Sequence, residues 1–147
     1  MATIAGFTNV FEDLVLKHFF TSTAYTPPST SLYVGLSSTV PTEETGTLNN
    51  VTEPTLAVSD YARVEVAMAT GWTVSATAPT QVVNASDIVF PICTGSDYPA
   101  SIVAVCIFDD SLANNGRLIT AASCTATAIA VNQQAKILAT KLKLTLT

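Results

Sequence analysis

Short apolar segments separated by turn residues make up most of this chain and limit the folds it can adopt. From Ser31 onward, apolar and polar residues alternate over stretches of roughly four to eight residues, which is the length of a strand. The end of the chain shows this most clearly, because Leu142, Leu144 and Leu146 alternate with polar residues. A period of two puts these leucines on one face of a strand. The pattern therefore predicts a β-rich fold.

We predict about seven or eight antiparallel strands, a number typical of a sandwich or a barrel. The run Ile102–Phe108 is continuously apolar and predicts a central strand. The segment 109–116 after it contains Asp-Asp and Asn-Asn-Gly, which favour a turn. Pro91 is expected to end the strand before it, and residues 41–54 are expected to form a long polar loop. The predicted strand segments are 31–37, 61–69, 71–75, 82–90, 101–108, 117–122, 127–131 and 141–146.

One helix is predicted, over residues 7–20. Its apolar residues recur at spacings of three and four, with Thr8 or Asn9 as the N-cap. Pro27 and Pro28 cannot continue a helix and favour an extended linker. We therefore divide the chain into a helix with its linker, residues 1–28, and a single-domain β-sandwich, residues 29–147. The helix either packs on the sandwich or docks as an arm on a neighbour. The residues expected on its packed face are Phe7, Val10, Phe11, Leu14, Val15, His18 and Phe19.

Composition excludes several classes of protein. The chain has 147 residues, of which 48% are hydrophobic and only 12% are charged, so it is not a disordered chain. No apolar run is long enough to predict a transmembrane helix. The net charge is −5 and no lysine or arginine cluster is present, which argues against nucleic-acid binding. The N-terminus lacks the basic and apolar regions of a secretory signal.

The sequence predicts neither a catalytic nor a cofactor-binding nor a metal site, and hence no enzyme. His18 is the only histidine and lies on the apolar side of the predicted helix, where we expect it to be packed. Asp109 and Asp110 are adjacent, so their carboxylates would point to opposite sides of an extended segment. Glu43 and Glu44 are interpreted as a solvated patch, and the isolated Asp87 and Asp97 form no cluster. Motifs for a nucleophilic serine, a nucleotide or calcium are missing.

Three cysteines, Cys93, Cys106 and Cys124, form no CxxC pair and are an odd number. We expect them to be buried thiols that act as small hydrophobic residues, as in a protein folded in a reducing cytoplasm. Trp72 follows a glycine and is expected in the core, although an exposed contact role remains an alternative.

Five blocks of this sequence, in this order, resemble a family of small phage virion structural proteins that are often labelled phage tail fibre proteins. The blocks are Ser31–Glu43 (family pattern LYVALFTTDPT), Asp60–Val64 (GYARV), Ile88–Pro91 (ITFP), Val105–Asp109 (FGIFD) and Gly116–Ile119 (GNLL). Val40 stands where the family has Asp, and Ser59-Asp60 replaces a Gly-Gly pair. The resemblance implies a virion component without known catalysis, assembled in the bacterial host cytoplasm.

Within a virion, two roles are open. The chain has no repetitive shaft, which favours a capsid decoration (cement) protein that contacts the major capsid protein and forms a homo-oligomer, expected to be a trimer. The alternative is a tail, baseplate or tail-fibre component that acts in host attachment. That role would require exposed aromatic rings, for which Tyr25, Trp72 and Tyr98 are the candidates.

Overall fold

A computed structural model of the protein describes residues 7–26, 30–42, 50–54, 60–77, 79–113 and 115–146. It confirms the all-β class with a single N-terminal helix. Nine strands are found within the described residues, slightly more than the sequence predicts. The elements are α1 (Asn9–Phe20), β1 (Ser31–Ser37), β2 (Val64–Ala67), β3 (Trp72–Ser75), β4 (Thr80–Asn84), β5 (Ile88–Ile92), β6 (Ile102–Phe108), β7 (Leu118–Thr127), β8 (Gln134–Ile137) and β9 (Lys143–Leu146).

The strands form three antiparallel sheets in a sandwich-like arrangement. The largest sheet has the order β2-β1-β6-β7, the second β3-β4-β9, and the smallest pairs β5 with β8. Strand β6 therefore lies in the middle of its sheet, as its apolar run predicts. Three parts of the chain considered above lie outside the described residues: the predicted linker at Pro27-Pro28, the predicted solvated patch at Glu43-Glu44, and residues 1–6.

The apolar side chains of all three sheets meet in one core. Its buried members are Val34, Leu36, Tyr61, Val66, Ile88, Phe90, Cys93, Tyr98, Ile102, Ile107, Ile119, Ile129 and Leu142. A second cluster contains Cys106, Phe108, Leu118 and Ala121. Because Ile107 belongs to the first cluster and its neighbours Cys106 and Phe108 to the second, β6 is covered on both faces. Both clusters therefore depend on this central strand.

The predicted strand 82–90 is wrong, because the chain leaves one sheet and enters another within it. Asn84 ends β4 and is fully buried. Its amide nitrogen donates to the carbonyls of Ser86 (2.8 Å) and Leu138 (3.0 Å), and its amide oxygen accepts from Leu142 N–H (2.9 Å). These bonds hold the chain in a bend before β5 begins. Neither a proline nor a glycine marks the bend in the sequence, so the two apolar segments are predicted as one strand.

Two other predicted boundaries also differ from the structure. Pro91 lies inside β5 and does not end it; the pairing of β5 with β8 shifts register between Val89 and Ile92, where a missing N–H can be tolerated. The predicted strand 117–122 is found but continues to Thr127 as the ten-residue strand β7, and the separate strand predicted over 127–131 is wrong. Thr125 and Thr127 interrupt the apolar pattern because the last three residues of β7 are exposed, whereas Ser123 is half-buried. A turn closed by the bond from Gln133 N–H to Ala130 O follows β7, and Asn132 in this turn has a φ of 66°.

Helix α1 is fixed to the sandwich through its N-cap. Thr8 is fully buried; its N–H donates to Ile119 O (2.9 Å) and its hydroxyl to Leu118 O (2.6 Å). The same hydroxyl accepts from Phe11 N–H (3.4 Å), which satisfies a free donor at the helix N-terminus. One side chain therefore both starts the helix and attaches it to β7.

Replacing Thr8 with valine should lower the free energy of unfolding by about 1–2 kcal/mol, because valine keeps the shape but loses both bonds of the hydroxyl. Thr21 at the other end of α1 provides the control, since its hydroxyl also bonds a carbonyl, Lys17 O, but is exposed. Urea denaturation should show a much smaller loss for Thr21→Val. Equal losses would contradict the role given to Thr8.

Candidate functional site

The C-terminal half of α1 exposes large apolar side chains to solvent. Leu16, Phe19 and Phe20 are 56%, 75% and 83% exposed, and we call these three residues the helix patch. Phe19 was predicted to lie on the packed face, which is wrong, and no residue of α1 is fully buried. Exposed apolar groups that lie together mark interaction sites more often than isolated ones do. The helix patch is thus the first candidate for a contact with another protein.

Aromatic packing keeps the helix in place despite this exposure. The rings of Phe7 and Phe11 lie 4.8 Å apart, and that of Phe11 meets Tyr25 edge-on at 5.6 Å. Tyr25 N–H donates to His18 Nδ1 (3.2 Å), so the chain after the helix folds back along it. His18 is exposed, not packed as expected from the sequence. Both ends of α1 are therefore held, and the helix patch has a defined position.

An apolar groove of about 220 Å³ lies where α1 meets two of the sheets. Its exposed lining is apolar and includes Trp72. The Trp72 side chain is half-buried, so it is neither fully in the core nor fully exposed, the two alternatives that the sequence left open. Tyr98, by contrast, is buried and is not available as an exposed contact. The residues that line the groove are Phe7, Phe11, Tyr25, Leu32, Met68, Trp72, Val82, Ile107, Ile119, Thr120 and Leu144.

A buried ion pair is the most polar feature of the interior. Arg63 Nε donates to Glu53 Oε1 (2.9 Å) and its Nη2 to Glu53 Oε2 (2.6 Å), with both side chains almost completely enclosed. The guanidinium also lies 3.5 Å above the centroid of the Phe108 ring. Two-pronged bonding and stacking of this kind suit arginine and not lysine. The pair therefore has the geometry of a permanent structural contact.

Tyr61 links the ion pair to the largest sheet by hydrogen bonds. Its hydroxyl donates to Glu53 Oε1 (2.7 Å) and accepts from Leu36 N–H (2.9 Å). The neighbouring strand position is Gly35, where a Cβ atom would lie 2.8 Å from both Phe108 Cε2 and the Tyr61 hydroxyl. Because ordinary contacts are longer than this, only glycine fits at that position without displacement.

Arg63 also fixes the loop that follows β6. Its Nη1 donates to the carbonyls of Asp110 (2.7 Å) and Asn115 (3.1 Å). Asp109, which opens the loop, pairs with Arg117 (2.6 Å), and Gly116 adopts a φ of 73°. Asp110 bonds Leu112 N–H and Asn115 within the loop. The two adjacent aspartates thus organise the turn, in keeping with the turn predicted for residues 109–116.

The sequence pattern does not reveal the cluster of Tyr61, Arg63 and Glu53. In the predicted strand 61–69, alternation puts Tyr61 and Arg63 on the face opposite Val64 and Val66, and Glu53 falls within the predicted polar loop 41–54. In the structure Tyr61, Arg63 and Glu53 are all buried. The block Asp60–Val64 of the family resemblance contains two of the three residues and was the one signal that could have identified them.

The ion pair between Arg63 and Glu53 is closed off from solvent. The carboxylate and guanidinium of the ion pair are only 1% and 0% exposed, so a substrate cannot reach them. No group of three or more His, Cys, Asp or Glu side chains is placed to hold a metal in this part of the chain. The cysteines are free; Cys93 and Cys106 are buried and Cys124 is half-buried, and burial raises the pKa of the Cys106 thiol. A raised thiol pKa disfavours the reactive thiolate.

Alkaline pH should affect the wild type and Tyr61→Phe differently. Burial, and then the negative charge of Glu53, raise the pKa of Tyr61 in the folded protein. The stabilisation due to this hydroxyl is therefore complete below its unfolded pKa of about 10 and declines as the pH rises above it. Tyr61→Phe should be less stable by about 1–3 kcal/mol near neutrality, and this deficit should shrink toward about pH 11. Urea denaturation over that range is the test, and a deficit independent of pH would contradict the assignment.

Comparison with known proteins identifies the family. A family model described as "Podophage GP4 fiber I protein gp80" matches residues 6–145, nearly the whole chain. The chain belongs to this family. The fiber I family is one of phage structural proteins, so the chain is a phage virion structural protein, in agreement with the resemblance found in the sequence. No curated protein matches the chain. Within the described residues, α1 is too short to cross a bilayer and no other helix is present.

Proposed function

We propose that this protein is a non-enzymatic fibre component of a podophage virion, held in the particle by contacts of its helix patch. The observation that carries the proposal is the exposure of Leu16, Phe19 and Phe20 on a helix that is fixed at both ends. An isolated helix of twelve residues is marginal in water, and three solvated apolar side chains add nothing to its stability. Such a surface is understandable if another protein covers it in the assembled particle.

The family name favours the fibre over the capsid decoration that the sequence analysis placed first. A compact domain, the missing shaft and the low charge favour decoration, but a fibre can also contain compact domains joined to one another through their surfaces. The partners proposed are therefore other virion proteins, including further copies of this chain. The major capsid protein and a trimeric state remain predictions. Assembly of the particle in the bacterial host cytoplasm is part of the same proposal, and the free cysteines agree with it.

Copy number in purified particles tests the proposal. Quantitative mass spectrometry against the portal and major capsid proteins would measure it. A fibre component should be present in a small number of copies, related to the symmetry of the tail. A copy number in a simple ratio to the major capsid protein would overturn the fibre role and restore the capsid decoration hypothesis. Absence from the particles would contradict both.

A further inference from the structure

We infer that copies of this chain join head to tail, with the helix patch of one copy inserted into the apolar groove of the next. The two surfaces occur on the same chain, and each lacks an apolar partner among the residues that the structure describes. The aromatic rings of the patch are 75% and 83% exposed, and the groove has an apolar lining with a volume of about 220 Å³. The inference rests on the proposed function for its biological setting, but not for its test.

The groove has the size and the chemistry to receive an aromatic side chain. An apolar cavity of about 150 Å³ is large enough to hold benzene, so the groove has room for a phenyl ring. Sites for small polar ligands contain a few polar groups that orient the ligand, whereas the exposed lining here is apolar. A phenylalanine side chain from a second protein molecule therefore suits the groove better than a metabolite does.

The patch of one copy cannot fill the groove of the same copy. Phe7 and Phe11, at the start of the helix segment, already line the groove. Phe19 lies eight residues beyond Phe11, about 12 Å farther along the helix axis at a rise of roughly 1.5 Å per residue. Since Thr8 and Tyr25 hold the helix at both ends, the patch projects away from its own groove. The contact must therefore be made between molecules.

The area involved agrees with an interface between copies. Leu16, Phe19 and Phe20 together expose on the order of 400 Å² of apolar surface, when about 200 Å² is taken for each whole side chain. A stable interface needs about 800 Å² from each partner, so the patch supplies roughly half of one side. The polar flank of the helix, with Glu12 and Asp13, would supply further contact area at the rim.

Insertion of one surface into a different surface has a consequence for assembly. The contact is heterologous, so each copy keeps a free patch at one side and a free groove at the other. Such contacts build a ring when the rotation from one copy to the next returns to the first copy, and an open stack when it does not. Either product is suited to a fibre. A symmetric pairing of two helix patches, by contrast, would stop at a dimer and leave both grooves empty.

Complementation between two variants of the full-length protein tests the inference. The patch variant is Phe19→Ser/Phe20→Ser, and the groove variant is Met68→Lys, which places a charge at a groove residue that is 43% exposed. Leu138→Ser, which removes a 52% exposed apolar side chain elsewhere, is the matched control. Sedimentation velocity over a range of concentrations measures association, and circular dichroism melting confirms that each variant is folded.

We expect wild type and the control to self-associate and each of the two variants alone to remain monomeric. An equimolar mixture of the variants should form a one-to-one complex and nothing larger, because it contains a single intact patch-and-groove contact. Trp72, the only tryptophan, lines the groove, so its emission should shift to shorter wavelength on association of wild type and in the mixture.

A wild type that is monomeric at all concentrations would overturn the inference. So would a mixture that fails to associate, or a groove variant that self-associates as strongly as wild type, which would indicate pairing of helix patches. None of these results would alter the copy number measured in particles. The fibre role could therefore survive the failure of the head-to-tail contact, and the head-to-tail contact could survive the failure of the fibre role.

Discussion

Replacing Arg63 with methionine should lower the free energy of unfolding by about 3–5 kcal/mol, because it leaves the Glu53 carboxylate buried without the positive charge that balances it. The loss includes the stacking of the guanidinium on Phe108 and the two bonds to the carbonyls of Asp110 and Asn115. Guanidinium chloride denaturation at neutral pH would measure it. Arg63→Lys keeps the charge but loses the two-pronged geometry, so it should give an intermediate loss.

The double variant Glu53→Met/Arg63→Met provides the decisive comparison. When both charges are removed, neither is left unpaired, so the double variant should be more stable than Arg63→Met alone. Asp13 and Lys17 serve as a control pair, since they form an ion pair of similar length (2.7 Å) with both side chains more than half exposed. Asp13→Ala should change stability by less than about 1 kcal/mol. Additive losses at Glu53 and Arg63 would contradict the coupling.

Replacing Phe90 with alanine should cost about 3–5 kcal/mol, the range found for removing a buried phenyl ring from a packed core. Phe90 is 1% exposed, and its ring lies nearly parallel to that of Tyr61 at a centroid distance of 6.4 Å. Through this contact the small β5-β8 sheet shares the main core. We therefore expect the cavity to weaken the whole domain, and a single cooperative transition to shift in thermal denaturation.

Val89 is the matched control for Phe90, because it precedes it in β5 and points to the opposite face, where it is 42% exposed. Val89→Ala should cost no more than about 1 kcal/mol. If the two variants were equally stable, the ring of Phe90 would contribute no packing energy to the core. If Phe90→Ala instead produced two separate transitions, the smallest sheet would be an independent unit.

The sequence predicts the strands with strong local signals and fails where tertiary contacts determine the chain path. The apolar run of β6, the alternation in β1 and the Thr8 cap are local features, and all three are found. The bend after Asn84 depends on bonds to Ser86, Leu138 and Leu142, two of which are more than fifty residues away. The spacing of apolar residues along the sequence carries no information about such bonds, so β4 and β5 are predicted as one strand.

The candidate site was only partly predictable for the same reason. Helical spacing identifies an apolar face on α1 but does not show how much of that face the sandwich covers. Phe11 and Phe19 carry the same side chain, yet one lines the groove and the other is 75% exposed. Alternation places Arg63 on the face of the predicted strand 61–69 opposite Val64 and Val66, and nothing in that pattern indicates that it is buried. Its burial depends on Glu53, which is ten residues earlier and lies in a segment without a strand signal.

The bonds from Arg63 to the loop after β6 also make this loop a place to attach a foreign peptide. Asp110 and Asn115 are held at the two sides of the loop, whereas Leu112 between them is 63% exposed. A sequence inserted after Leu112 would leave both anchors in the protein, and lengthening a closed loop costs little free energy. An epitope placed there could report the position of each copy in intact particles.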